Sequence, residues 1–188
     1  MLMTHIRPSL TMLAAFTLLT GLAYPLAMTG IAQGLFPAAA NGNLISRDGK
    51  PVGSDLIGQA FVAPGYLHPR QSASGYNAAG TGATNLGPTS AALITAVADQ
   101  QTAFTAANGS PGPVDAVTTS GSGLDPHISP ENALAQAQRI ATARGLGLPD
   151  VQAVIDAATE QPFLGIYGLR RVNVLRVNLA LDAAFPAP

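Results

Sequence analysis

Thirty-nine consecutive residues, 8 to 46, carry no charged side chain, and Leu10 to Leu35 is the apolar heart of that stretch. A bilayer core about 30 Å thick needs roughly 20 apolar residues to cross it as a helix. Lipid offers no hydrogen-bond partners, so the stretch predicts one membrane-spanning helix over 10–35. Pro25 removes a backbone donor near its middle and is expected to kink it. Gly21, Ala23, Ala27 and Gly30 are small residues common in membrane helices, where they also let a second helix approach. The basic start, His5 and Arg7, places residues 1–9 on the cytoplasmic side and residues 36–188 outside. A cleaved leader ending at Ala38-Ala39-Ala40 is the rival reading. The apolar run is longer than the roughly 7–15 residues of a signal core, which favours the anchor.

Beyond the anchor the pattern is that of one mixed domain. Ala38 to Gly53 reads as a loop, and Asp55 to Phe61 as a short strand. Gly65 to Gly87 is a long Gly/Ser/Asn segment of the kind that is either functional or unstructured. Leu93, Val97 and Phe104 give helical spacing after Pro88-Thr89-Ser90, with Asn108-Gly109 as the stop. Val114 to Thr119 is β-branched and predicts a buried strand. Ser129, Pro130 and Glu131 open a second helix, which Gly145 closes after Arg144. A third helix is expected from Pro149-Asp150 to Gln161. Val172 to Leu181 alternates at period two and predicts a closing strand. The order gives an α+β (mixed α/β) extracytoplasmic domain behind one N-terminal transmembrane helix.

Composition narrows the chemistry. The chain has 188 residues and a net charge of −1, and 10% of its residues are charged. That is well below the usual ~25% and suggests a surface partly covered by partners. Such a charge gives no electrostatic case for nucleic acid. Cysteine is absent, which excludes thiol nucleophiles and Cys-type zinc sites. Gly80-Thr81-Gly82 and Gly121-Ser122-Gly123 lack the rest of any nucleotide motif. Ser122, Asp125 and His127 hold the side-chain types of a hydrolase triad, but no G-x-S-x-G elbow surrounds Ser122. Asp125 and His127 alone are too few ligands for a metal. The residues by themselves favour a turn at Asp125-Pro126 that orders its own backbone. Arg139 and Arg144 read as solvated or paired charges, and Gln136 has no chemistry of its own.

Those same residues resemble a family signature. Thr118 through Pro130, with Ser120, Gly121, Gly123, Leu124, Asp125, His127 and Ile128 in order, is similar to the signature of KdpC, the C subunit of the bacterial Kdp potassium-transporting P-type ATPase. Gln136 and Arg139 follow at the family's spacing. Arg70, Ser72 and Ala73 with Tyr76, Asn77 and Ala78 resemble its R-P-S-A…Y-N-x segment. Asn85, Leu86, Gly87, Pro88 and Thr89 resemble its S-N-L-G-P-T loop. Asn173 and Asn178 stand within its V-N-V-L-x-L-N-L-A-L stretch, and Arg7-Pro8-Ser9 also fits. Departures are Gln71 for Pro, Leu67 where Phe is common, and Thr81-Gly82-Ala83-Thr84 for S-G-G-S.

The resemblance implies a single-pass subunit of the bacterial inner membrane, without catalytic residues, metal or cofactor of its own. ATP and K⁺ would be handled by the complex. Its partners would be a KdpA-like pore subunit, a KdpB-like ATPase subunit, a small KdpF-like subunit and membrane lipid. It would act as an assembly factor and catalytic chaperone that raises ATP affinity in the B subunit, with Gln136, and Arg139 beside it, linked to nucleotide. ATP binds in the cytoplasm, whereas the topology read here puts the domain outside. The alternatives are a membrane-anchored hydrolase using Ser122, Asp125 and His127, or a secreted binding module released at Ala40.

Overall fold

The computed structural model describes residues 2–186. Met1 of the expected cytoplasmic tail, and Ala187 and Pro188 of the expected domain, lie outside the described residues. The chain divides into two compact units, one ending at Leu44 and one beginning at Ile45.

The first unit is helical. Helix α1 (Leu2–Leu18) runs through a π turn (Leu19–Ala23) into α2 (Tyr24–Leu35), and a short α3 (Pro37–Ala40) follows. Thr4–Leu35 forms 32 residues long and apolar enough to cross a membrane. The helix begins eight residues earlier than the hydropathy alone indicates and runs through Pro8. At ~1.5 Å per residue it is longer than the ~30 Å that a bilayer core requires. The π turn answers Pro25. Pro25 has no N–H and its ring crowds the carbonyl four residues back. The chain takes up the mismatch by widening one turn, so that Tyr24 N–H donates to Leu19 O.

The second unit opens with a hairpin where a loop was expected. Strands β1 (Leu44–Arg47) and β2 (Lys50–Ser54) pair across Asp48-Gly49, whose φ angles are 51° and 73°. Two positive φ values define the type I′ turn that matches strand twist. The expected strand at Asp55 to Phe61 is absent. That segment is irregular and its backbone is held by others: Asn173 Nδ2 donates to Asp55 O at 2.9 Å, and Gly58 N donates to Leu124 O at 2.8 Å.

Helix α4 (Ala91–Asn108) ends at Gly109 as the sequence predicts. The expected strand at Val114–Thr119 is instead a short helix, α5 (Val114–Val117). Pro113 sets its entry, Asp115 occupies its first turn, and only Thr119 bridges to Gln71. Then come β3 (His127–Ile128), α6 (Pro130–Arg144), α7 (Leu148–Ala157), β4 (Thr159–Glu160), β5 (Arg171–Asn173) and α8 (Val174–Ala184). The ends of α6 are as predicted. Ser129 Oγ accepts from Asn132 N at 3.0 Å, Pro130 is the first residue, and Gly145 closes the helix. Helix α7 stops at Ala157, short of Gln161, because Thr159 and Glu160 pair with β5.

Of the predicted closing strand only Val172 and Asn173 are extended, in β5 (Arg171–Asn173). Strand β5 is central in the antiparallel order β3-β5-β4, with Ile128 and Thr159 both opposite Val172. Asn173 then caps a helix by accepting from Arg176 N at 3.1 Å. Val174, Val177, Asn178 and Leu181 are buried. Their spacing of three, four and seven is helical, although the same residues alternate apolar and polar. The core joins Leu67, Ile140, Ile155, Val172, Val177 and Leu181 between α6, α7, α8 and the sheet.

Candidate functional site

The signature residues gather into two polar networks. The first binds a pair of backbone units. Asn178, 1% exposed, accepts from Leu67 N at 2.7 Å and donates to Leu67 O at 3.0 Å. One residue on, Gln136 on α6 accepts from His68 N at 2.8 Å and donates to His68 O at 3.2 Å. Two buried amides from two helices thus treat Leu67-His68 as a β partner would. Each satisfies backbone groups that burial would otherwise orphan. The network continues through Asn132 Oδ1, which accepts from Gln136 Nε2 at 2.8 Å, to Asp115, which accepts from Asn132 Nδ2 at 3.1 Å.

Arg139 pins the same loop from its other side. Its guanidinium donates to Tyr66 O at 3.0 Å, Gln136 Oε1 at 2.7 Å, Asn108 Oδ1 at 2.9 Å, and Pro64 O. No acid pairs with it among the described residues. Burial pulls its pKa down to about 10, still charged at neutral pH. It is therefore a half-buried clamp on backbone and amide oxygens, neither of the solvated or paired states expected from the sequence. Arg144 is paired, to Asp182 at 2.8 Å, and also donates to Gly65 O at 2.6 Å. Gln136 borders a cleft of about 170 Å³ under α4, lined also by His68, Phe104 and Asn132. Small-molecule sites usually run from ~300 Å³ upward, so this cleft is small for one.

The second network stitches residues 70–82 to 118–127. Arg70 pairs with Asp125 at 3.2 Å and donates to Thr119 O at 3.3 Å. Ser72 Oγ donates to Gly123 O at 2.6 Å and accepts from Tyr76 N at 2.9 Å, while Tyr76 OH donates to Arg70 O at 2.7 Å. Ser120 Oγ accepts from Gly123 N at 3.1 Å. Gly123 has φ 71°, and a Cβ there would stand 2.4 Å from Ser74 Oγ and 2.8 Å from Gly82 O. Only glycine fits that approach. Leu124, Ile128 and Pro130 are buried against the domain interior. Asp125 accepts from His127 N at 3.0 Å, as the turn reading requires.

The remaining signature residues stand apart. Asn85, Leu86, Gly87, Pro88 and Gly121 are exposed. Asn85 donates to Ala83 O at 3.2 Å, and Asn77 accepts from Ala79 N at 3.0 Å. These are local turns. The triad types are not assembled. Ser122 Oγ accepts from Leu124 N at 3.1 Å and faces Ser120 Oγ at 3.3 Å. His127 Nδ1 lies 3.8 Å from Asp125 Oδ1, and no hydrogen bond joins Ser122 to His127 among the described residues. A nucleophile needs its base within hydrogen-bond reach. Sequence reasoning missed Asp115, which it placed in a strand. Pro113 ahead of it and an acid in the first turn are helix-start signals that would have found it.

A family model described as "K+-transporting ATPase, c chain" (KdpC) matches residues 6–183. This chain belongs to the KdpC family. A protein from Cereibacter sphaeroides is 64% identical over 183 residues, 97% of this chain and 99% of its own length. Others from Rhodospirillum rubrum and a Caulobacter species are 55% and 54% identical over 188 and 192 residues, with at least 96% of each chain covered. Each of the three is named potassium-transporting ATPase KdpC subunit.

Two histidines of this KdpC-family domain should make its stability depend on pH. Burial, then the charge of Arg139, lowers the pKa of His68 against the raising bond to Ala63 O. Burial, then Arg171, lowers that of His127 against Glu160, Asp125 and Asp55. The folded state thus resists protonation that the unfolded chain accepts near pH 6.5. The stability contribution is complete above that pH and is lost as pH falls through it toward the lower folded values. Urea midpoints should therefore drop between pH 7.5 and 5.5. Replacing His68 and His127 together by Gln should flatten the drop. An unchanged slope in the double variant would assign it elsewhere.

Proposed function

We propose that this chain is the membrane-anchored, non-catalytic C subunit of a high-affinity ATP-driven K⁺ uptake pump in a bacterial cell membrane. The match to KdpC over residues 6–183, with relatives of that name covered end to end, carries the reading. In this reading the chain assembles with KdpA-like, KdpB-like and KdpF-like subunits and with lipid. It helps the B subunit bind ATP by holding the assembly together. The complex handles ATP and K⁺, and the chain needs no cofactor of its own. Gln136 and Arg139 act on nucleotide only through the loop they hold, since their polar atoms are engaged within the domain. The knitted loops 70–82 and 118–127 form a rigid base from which exposed Asn85, Leu86, Pro88 and Gly121 meet the pore subunit. Residues 1–9 stay in the cytoplasm and 36–188 lie outside, as the basic start favours.

Two measurements test this. The full chain should co-purify with A- and B-type Kdp subunits in stoichiometric yield and restore K⁺-limited growth to a strain lacking its C subunit. A reporter fused after Pro188 should be active only outside the cytoplasm. Failure to co-purify removes the pump assignment, whereas cytoplasmic reporter activity reverses the topology alone.

A further inference from the structure

The loop between β4 and β5 carries an apolar tip that the fold does not use. Phe163, Leu164, Ile166, Tyr167 and Leu169 are 68–87% exposed, five of seven consecutive residues. The tip is a built turn, with Phe163 and Tyr167 bridged and Leu164, Gly165 and Gly168 at positive φ. Contiguous exposed apolar surface of this kind marks an interaction site. Arg170 and Arg171 follow at once. Arg171 pairs with Glu160 at 2.8 Å, while Arg170 is exposed and forms no ion pair among the described residues. Beside them is a groove of about 360 Å³ lined by Arg70, Val114, His127, Leu169, Arg170 and Arg171, together with Asp115 and Asp125. Both acids are already engaged, by Ser129 and Arg70, and Arg70 Nε is buried without a partner.

An aromatic and aliphatic tip backed by arginines matches the bilayer interface. Apolar side chains enter the acyl boundary and cations meet anionic headgroups. Protein hot spots, in contrast, sit in desolvated pockets inside a polar rim, whereas these five side chains stand 68–87% exposed. The chain itself brings the surface close. Only residues 36–44 separate the end of α2 from the second unit. Fully extended they span at most about 35 Å, so the tether holds the domain at high effective concentration beside the membrane its helix enters.

We propose that the 163–170 loop is a membrane-docking element, with its apolar tip in the bilayer interface and Arg170 on anionic phospholipid headgroups. The proposal rests on the reading of Thr4–Leu35 as a membrane span.

The chain has no native cysteine, so a single probe reports cleanly. The full chain with Ile166→Cys, carrying an environment-sensitive fluorophore, is reconstituted into phosphatidylcholine vesicles with and without phosphatidylglycerol. A headgroup-depth spin-labelled lipid serves as quencher, and Gln138→Cys, on an exposed position of α6, is the reference. Quenching at 166 should greatly exceed that at 138 and rise with phosphatidylglycerol. Arg170→Gln should weaken the anionic-lipid response by about fivefold. Leu169→Cys repeats the measurement should the first label disturb the turn. A chain that floats with the vesicles yet leaves both labels as wet as 138 overturns the docking and keeps the anchor. Failure to float overturns the anchor, and the docking with it. Shielding that appears only when the other pump subunits are co-reconstituted gives the loop to a protein partner and overturns the lipid assignment.

Discussion

Replacing Asn178 by Leu should destabilise the extramembrane domain by about 2–5 kcal/mol, because two buried backbone groups lose their partners at once. Leu67 is fully buried, and its N–H and C=O both bond to the Asn178 amide, at 2.7 and 3.0 Å. Leucine keeps the branched shape and is larger, so no cavity forms; the cost is that of desolvated groups left unpaired, with some overpacking added. Each such group costs roughly 1–3 kcal/mol. For a domain of this size that lowers Tm by roughly 6–15 °C. Asn178→Asp should also destabilise, since a carboxylate can accept from Leu67 N–H but cannot donate to its carbonyl. Asn77→Ala is the control. It loses only an exposed turn bond to Ala79 N and should stay within about 1 kcal/mol of the parent. Urea unfolding of the three variants, followed by far-ultraviolet circular dichroism, measures the order. Equal midpoints for Asn178→Leu and Asn77→Ala would remove the bracket from the account of this fold.

The bracket also marks where the sequence is legible and where it is not. Local chemistry reads directly. The cap at Ser129, the stop at Gly145 and the end of α4 at Gly109 each follow from one residue and its neighbours, and all three stand in the structure. The long apolar helix reads as easily, because lipid imposes a length that few soluble elements share. The misreadings fall where two periods fit the same letters. Val172 to Leu181 alternates and also spaces its apolar residues at three and four, and packing against α7 decides for helix after Asn173. Val114 to Thr119 has the residues of a strand, but Pro113 and Asp115 start a turn of helix. The hairpin was there to be read in Asp48-Gly49, the strongest short hairpin signal. The roles of Asn178 and Gln136 were not readable. Their partners, Leu67 and His68, lie 111 and 68 residues away. No local pattern announces a backbone that will be bracketed by side chains.

Asp115→Ala should cost the domain about 2–4 kcal/mol, the other large effect expected here. The carboxylate accepts from Ser129 N at 2.8 Å, Ser129 Oγ at 2.9 Å and Asn132 Nδ2 at 3.1 Å. It therefore fixes the cap of α6 from outside the helix. Bonds to a charged acceptor are about twice as strong as neutral ones, and a negative charge at a helix N-terminus adds several tenths of a kcal/mol. Alanine leaves Ser129 N–H and the buried Asn132 amide without this acceptor, although Ser129 Oγ still caps Asn132 N at 3.0 Å. Asp115→Asn keeps one acceptor oxygen and loses the charge, so it should fall between alanine and the parent. The loss should also reach the Leu67-His68 bracket, because Asn132 Oδ1 holds Gln136 Nε2 at 2.8 Å. A double-mutant cycle with Asn132→Ala measures that connection. The two substitutions remove one shared bond, so their combined cost should be smaller than the sum of the separate costs by about 0.5–2 kcal/mol. Strict additivity would mean that Asp115 and the Asn132–Gln136 ladder are energetically separate. The cap would then be local to α6 and would play no part in holding residues 67 and 68.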